Sequence, residues 1–95
     1  NVHAGGVYRY AACGQELFSS DTKFDSGTGW PSFTDPVNRE HIELRRDTTG
    51  AEGERVEVLC RQCGSHLGHI FDDGPQEKGG KRYCINSTCL ELERR

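Results

Sequence analysis

Short alternating runs of apolar and polar residues, each closed by glycine or polar turn residues, make up most of this chain. Val7-Tyr8-Arg9-Tyr10, Glu16-Leu17-Phe18, Ile42-Glu43-Leu44-Arg45 and Arg55-Val56-Glu57-Val58-Leu59 predict strands. So do Ser65-His66-Leu67-Gly68-His69-Ile70-Phe71, Arg82-Tyr83-Cys84-Ile85-Asn86-Ser87 and Leu90-Glu91-Leu92. Ser19 to Lys23 and Asp47 to Gly53 are expected as turns, as is Asp72-Asp73-Gly74-Pro75, which ends its strand. No window carries a helical period with caps. The pattern predicts an all-β or mainly β single domain over residues 1–95, with no internal sequence repeat.

Two stretches break the simple pattern. Phe24 to Phe33 sets glycines on both sides of Thr28 and places the only tryptophan, Trp30, before Pro31, a composition expected of a loop holding a rigid aromatic. The alternative is a tryptophan that covers the edge of the core. In Arg82 to Ser87, period-two alternation puts Arg82, Cys84 and Asn86 on one face and Tyr83 and Ile85 on the core side. A guanidinium beside a thiol favours the thiolate, so this face predicts a lowered thiol pKa and a nucleophile. The competing reading is a buried cysteine acting as a small hydrophobe.

Composition narrows the partners. A hydrophobic fraction of 33% and 12 glycines predict a loop-rich domain with one modest core that a metal or covalent staple would help. The net charge of -3, with both signs mixed and no basic stripe, argues against nucleic acid, and no apolar run is long enough to span a bilayer. No signal-peptide pattern precedes the first strand.

The five cysteines cannot all pair within one chain. Cys60-Arg61-Gln62-Cys63-Gly64 has the spacing of a metal knuckle, which favours a reducing, intracellular location, with the cytoplasm expected and the organelle undetermined. Cys13-Gly14 could supply part of a second half-site, but Tyr10 stands where a second pair would need a cysteine. Three thiolates are one ligand short of a closed tetrahedral zinc site; the fourth could be a histidine such as His3, a water, or nothing. His66 and His69 are three apart, so an unbroken strand would place them on opposite faces unless Gly68 interrupts the alternation. An intracellular cysteine with histidines elsewhere in the chain is a candidate nucleophile arrangement.

Lys23-Phe24-Asp25-Ser26-Gly27, Gly29-Trp30-Pro31-Ser32-Phe33, His66 to Pro75 and Arg82 to Ser87, in that order, resemble the methionine-R-sulfoxide reductase (MsrB) family. The likeness runs from about Gly6 to Leu92. It implies two antiparallel sheets, a structural zinc at a cysteine cluster, and reduction of the R epimer of methionine sulfoxide, free or in oxidised proteins, without an organic cofactor. Carried over by position, Cys84 is the nucleophile and passes through a sulfenic acid. Trp30 walls the substrate's methyl pocket, with Phe71 and Asp73 also expected at the substrate. His66 and His69 position substrate and help protonate the oxygen, while Arg82 and Asn86 complete a polar network.

Two departures qualify the likeness. Many members carry a resolving cysteine at the position of Thr28, which leaves Cys89 as the candidate here, with a core role favoured over a resolving one. The expected route is therefore direct recycling by thioredoxin or another external thiol, in a monomer. The second departure is Tyr10, which leaves Cys13, Cys60 and Cys63 as the expected zinc ligands. The helical segment with which the family usually opens is expected to be missing before Asn1. A zinc-ribbon-like binding module without catalysis is the rival reading; it would need neither Cys84 beside two histidines nor Trp30.

Overall fold

The alternating runs form strands wherever they were expected, and the computed structural model describes them over residues 5–47 and 55–94. In chain order these are β1 (Gly6–Tyr10), β2 (Glu16–Ser19), β3 (Lys23–Phe24), β4 (Ser32–Phe33), β5 (Ile42–Asp47), β6 (Arg55–Cys60), β7 (His66–Phe71), β8 (Arg82–Ile85) and β9 (Leu90–Arg94). They pair antiparallel into a three-stranded sheet, β2-β1-β9, and a six-stranded sheet, β3-β4-β8-β7-β6-β5. Among the described residues there is no α-helix, only short 3₁₀ turns. The turn expected after Asp47 and the histidine at position 3 lie outside the described residues.

The core fills the space between the sheets. Leu17 and Phe18 come from the smaller sheet and Phe33, Val58, Leu67, Tyr83 and Ile85 from the larger one. Phe18 stacks on Phe33 with ring centroids 4.4 Å apart, and Tyr8 meets the same ring edge-on at 5.3 Å. Phe18 and Phe33, both fully buried, each contribute roughly 1.5–3 kcal/mol. Phe24 and Phe33, read from sequence as the ends of one loop, are instead held in short strands, because β4 pairs with β3 on one side and β8 on the other.

Chain direction after Cys84 differs from the expectation. The strand ends at Ile85, and Asn86 caps a 3₁₀ turn over Ser87–Cys89, its Oδ1 accepting from the Thr88 amide at 3.0 Å. Leu90 and Leu92 therefore do not continue the face of Cys84; their strand crosses to the other sheet beside β1. A capped turn makes this break.

No repeat is legible in the sequence, yet one hydrogen-bond pattern occurs twice. The Tyr10 amide donates to the Gln15 carbonyl and Gly14 to Tyr10 at 2.9 and 2.8 Å; Cys60 donates to Ser65 and Gly64 to Cys60 at 2.9 and 2.7 Å. Gly14 and Gly64 close these turns at φ 79° and 78°, in the left-handed region that glycine enters without steric cost. Each second strand then holds one extra residue, Leu17 in β2 and Leu67 in β7. The neighbouring strands match as well, Leu90 facing Tyr10 and Ile42 facing Cys60, each after an asparagine-capped turn. The units β9-β1-β2 and β5-β6-β7 are thus structural copies with different side chains.

Candidate active site and thiol cluster

Cross-strand register builds the site. Cys84 in β8 lies opposite His69 in β7 and Ser32 in β4, and His69 lies opposite Glu57 in β6. Directly opposed residues share a face, so Glu57, His69, Cys84 and Ser32 form one row across the larger sheet. The next row holds Phe71 opposite Arg82, with the Arg82 guanidinium 4.5 Å and the Arg55 guanidinium 5.9 Å from the centre of the Phe71 ring.

The bulge at Leu67 answers the question of the two histidines. Val58 faces Gly68 while Leu59 faces His66, so β7 takes one more residue than β6 over this interval. Leu67 turns into the core, and His66 comes onto the face of His69 with ring centroids 5.3 Å apart. His66 Nδ1 is 2.6 Å from a Glu57 carboxylate oxygen. Gly68 itself is fixed by close approach: a Cβ there would lie 2.0 Å from the Cys84 carbonyl oxygen.

Thr28, Trp30, Arg55, His69, Phe71, Arg82 and Cys84 line a cavity of about 280 Å³. That is the size of a pocket for one side chain rather than a large ligand. Trp30 is 49% exposed, so it does not cover the core edge; it stands over the cavity. The loop that carries it is tied by hydroxyls. Ser32 Oγ donates to Ser26 Oγ at 2.9 Å, Ser26 and Thr28 hydroxyls are 2.9 Å apart, and the Trp30 amide donates to Thr28 Oγ1 at 3.3 Å.

Arg82 and Asp73 form a bidentate pair at 2.7 and 3.1 Å, with Arg82 largely buried and Asp73 on the open side. Each holds the other's charge: Asp73 is pushed below the usual carboxylate range and Arg82 above its ordinary value. The predicted lowering of the Cys84 pKa is not found. Burial pushes the thiol up, and this outweighs the pull of Arg82 toward the thiolate, which Asp73 further offsets. The surroundings therefore favour the thiol form of Cys84 more than water does for an ordinary cysteine.

Of the residues expected at the site, Trp30, His69, Phe71, Arg82 and Cys84 line the cavity together. His66 and Asp73 stand just behind it, on His69 and Arg82 respectively. Asn86 does not line it; its Oδ1 caps the following turn. Cys89 does not line it either. Its Sγ lies 3.8 Å from the His66 carbonyl oxygen and its side chain packs on the core. In the other copy, His41 Nδ1 is 2.8 Å from the Glu16 carbonyl at the equivalent position, so this contact is part of the duplicated frame. Sequence reading missed Arg55, Ser32 and Glu57. They sit on other strands, and only register, which no local pattern encodes, brings them to Cys84.

Cys13, Cys60 and Cys63 converge elsewhere, at the two equivalent turns. Their sulfurs lie within 4.8 Å of one another, a set that could hold a metal ion. Burial and the neighbouring thiol push Cys60 up to about 11, while the Ser65 hydroxyl and amide favour the Cys63 thiolate. Three sulfurs fit three corners of a tetrahedral zinc site. By the duplication Tyr10 is the backbone equivalent of Cys60, so the described residues do not close the fourth corner.

A family model for the SelR domain matches residues 1–94. The chain belongs to the SelR domain family. Among similar curated proteins, a peptide methionine sulfoxide reductase MsrB of Methanosarcina barkeri is 60% identical over 88 residues, 93% of this chain and 61% of the relative. One of the same name from Thiobacillus denitrificans is 58% identical over 90 residues, 95% of this chain and 67% of the relative. The chain thus spans roughly three fifths to two thirds of the length of these relatives. A crystal structure of a Mis18 'Yippee-like' domain superimposes with a TM-score of 0.73 over 96% of this chain and 97% of that one. At 15% identity this shows a shared fold and nothing of its chemistry.

Proposed function

We propose that this chain reduces methionine-R-sulfoxide, free or within oxidised proteins, to methionine through Cys84. The observation that carries the reading is the cross-strand pair of Cys84 and His69 on a cavity walled by Trp30 and Phe71. A nucleophile, a proton-transfer group and an apolar wall for a small thioether share one pocket. The SelR family membership and the MsrB relatives point the same way.

The substrate's methyl group packs against Trp30 and its S–O oxygen turns toward His69. Cys84 sulfur attacks the sulfoxide sulfur as a proton reaches the oxygen, and the hydroxyl then passes to the Cys84 sulfur as the transient S–S bond and the substrate S–O bond break. The thiol gives up one proton and the oxygen takes one, so the step balances: Cys–SH plus sulfoxide yields Cys–SOH plus thioether. The substrate sulfur gains two electrons and the Cys84 sulfur loses two. Arg82, held by Asp73, stabilises the thiolate as it forms. His66, backed by Glu57, orients His69.

Cys84 then needs two external thiols: Cys–SOH plus two R–SH gives Cys–SH, R–S–S–R and water. Thioredoxin or a similar dithiol fits this role in a reducing, cytoplasmic setting, with the chain acting as a monomer. A metal ion on Cys13, Cys60 and Cys63 would tie the turns of the two sheets and take no part in the reaction. Zinc is the ion the family resemblance implies, with three of its usual four donors among the described residues.

The test is reduction of dabsyl-methionine-R-sulfoxide with dithiothreitol. Turnover by the intact chain and its loss in Cys84→Ser are expected; full activity in Cys84→Ser, or none in the intact chain, refutes the proposal.

A further inference from the structure

The thiol cluster has a feature that the proposed reaction does not use. It is built at the junction of the two structural copies, and the copies differ at the position that matters. Cys13 and Cys63 are equivalents, each just before the left-handed glycine of its turn. Cys60 and Tyr10 are equivalents, each closing its turn through the same pair of backbone hydrogen bonds. Even the outer contacts repeat: the Ala11 amide donates to Cys89 O at 2.9 Å and the Arg61 amide to His41 O at 3.0 Å. The frame therefore offers four corners, of which three carry sulfur.

The fourth corner is not merely a missing donor. A cysteine at Tyr10 would reach the centre with one bond from Cβ, as Cys60 does. A phenol oxygen lies a whole ring beyond Cβ and overshoots that centre. Tyr10 instead packs its ring on the core. Protein contacts also brace the turns. Gln62 Nε2 donates to the Cys13 carbonyl at 3.2 Å, and the Cys13 and Cys60 sulfurs are 3.6 Å apart. Cys60 is buried and Cys63 exposed, so the cup has a closed floor and an open mouth.

Zinc in structural sites is almost always four-coordinate. A soft monovalent ion prefers thiolates and is satisfied by three of them. We propose that Cys13, Cys60 and Cys63 form a three-thiolate site for copper(I), and that Tyr10 at the fourth corner turns the site away from zinc. The inference does not depend on the chemistry at Cys84.

Anaerobic titration of the reduced protein decides it, with copper(I) competed by bathocuproine disulfonate and zinc by 4-(2-pyridylazo)resorcinol. Wild-type protein is expected to take up one copper(I), with thiolate-to-copper absorption in the near ultraviolet. Cys13→Ser should lose that uptake and Cys84→Ser keep it. Tyr10→Cys should tighten zinc by more than the ~10–100-fold that loss of an outer-shell partner costs. Wild-type protein holding zinc as tightly as Tyr10→Cys would mean that another donor, such as His3, closes the corner, and would overturn the proposal. Copper uptake that survives Cys13→Ser, or none in the wild type, overturns it as well. Because the copper comparison needs only wild type and Cys13→Ser, it stands even where Tyr10→Cys does not fold.

Discussion

His69 and Cys84 are cross-strand partners in the β7–β8 pair, and both open onto the cavity under Trp30. Neither is near the other in sequence. Their pairing is what gives the thiol a proton-transfer neighbour, and it rests on features that can be changed one at a time.

The first is the charge around the thiol. Burial raises the Cys84 pKa and Arg82 opposes this. A raised pKa means that the thiolate fraction, and with it the rate of alkylation, keeps rising with pH beyond the ordinary cysteine value. Peptide-resolved iodoacetamide labelling across pH should show this for Cys84. Arg82→Gln should shift the midpoint further up, because it removes the opposing charge. A plateau already reached at neutral pH would contradict the buried-thiol assignment.

Gly68 sets the distance between the two strands. An added Cβ would meet the Cys84 carbonyl oxygen at 2.0 Å, against backbone that cannot swing away. Gly68→Ala is expected to cost about 1–3 kcal/mol in urea unfolding, as overpacked sites do. Activity should fall more than stability predicts, since the residue displaced is the nucleophile itself. Wild-type stability and turnover in this variant would show that the strands can separate freely.

Thr28 lines the cavity beside Cys84, at the position where the family resemblance leads one to expect a resolving cysteine. Thr28→Cys should form a disulfide with Cys84 after one turnover without reductant, seen as a loss of two hydrogens by mass spectrometry. The wild-type chain should instead show a trappable sulfenic acid on Cys84. A stoichiometric Cys84–Cys89 bond in the wild type would reverse this assignment.

Cys89 belongs to the frame, through its contact with the His66 carbonyl and its packing on the core. Cys89→Ala is expected to keep turnover with dithiothreitol or thioredoxin and to lose no more than about 1.5 kcal/mol of stability, the scale of one hydrogen bond. Loss of thioredoxin-dependent turnover alone, with dithiothreitol activity intact, would reveal a resolving role.

The sequence by itself determined the strands other than β3 and β4, because period-two alternation and glycine turns are local properties that a strand's two faces impose. It determined that Arg82 and Cys84 share a face and that Tyr83 and Ile85 face inward, both being 5% exposed or less. It also singled out Cys60 and Cys63 by their knuckle spacing and Cys13 by the glycine that follows it, which are local features too. Only the tertiary structure decided the rest. The Leu67 bulge brought His66 to His69, and register brought Ser32, Glu57 and Arg55 toward Cys84. A one-residue slip would have reversed every one of those side chains, and no short segment encodes its own register. The thiol's pKa went against the local reading because desolvation depends on what the whole fold lays over Cys84, whereas the neighbouring arginine is visible two residues away. The duplication that sets Tyr10 opposite Cys60 lies in backbone hydrogen bonds, which different side chains can share without leaving a repeat in the sequence.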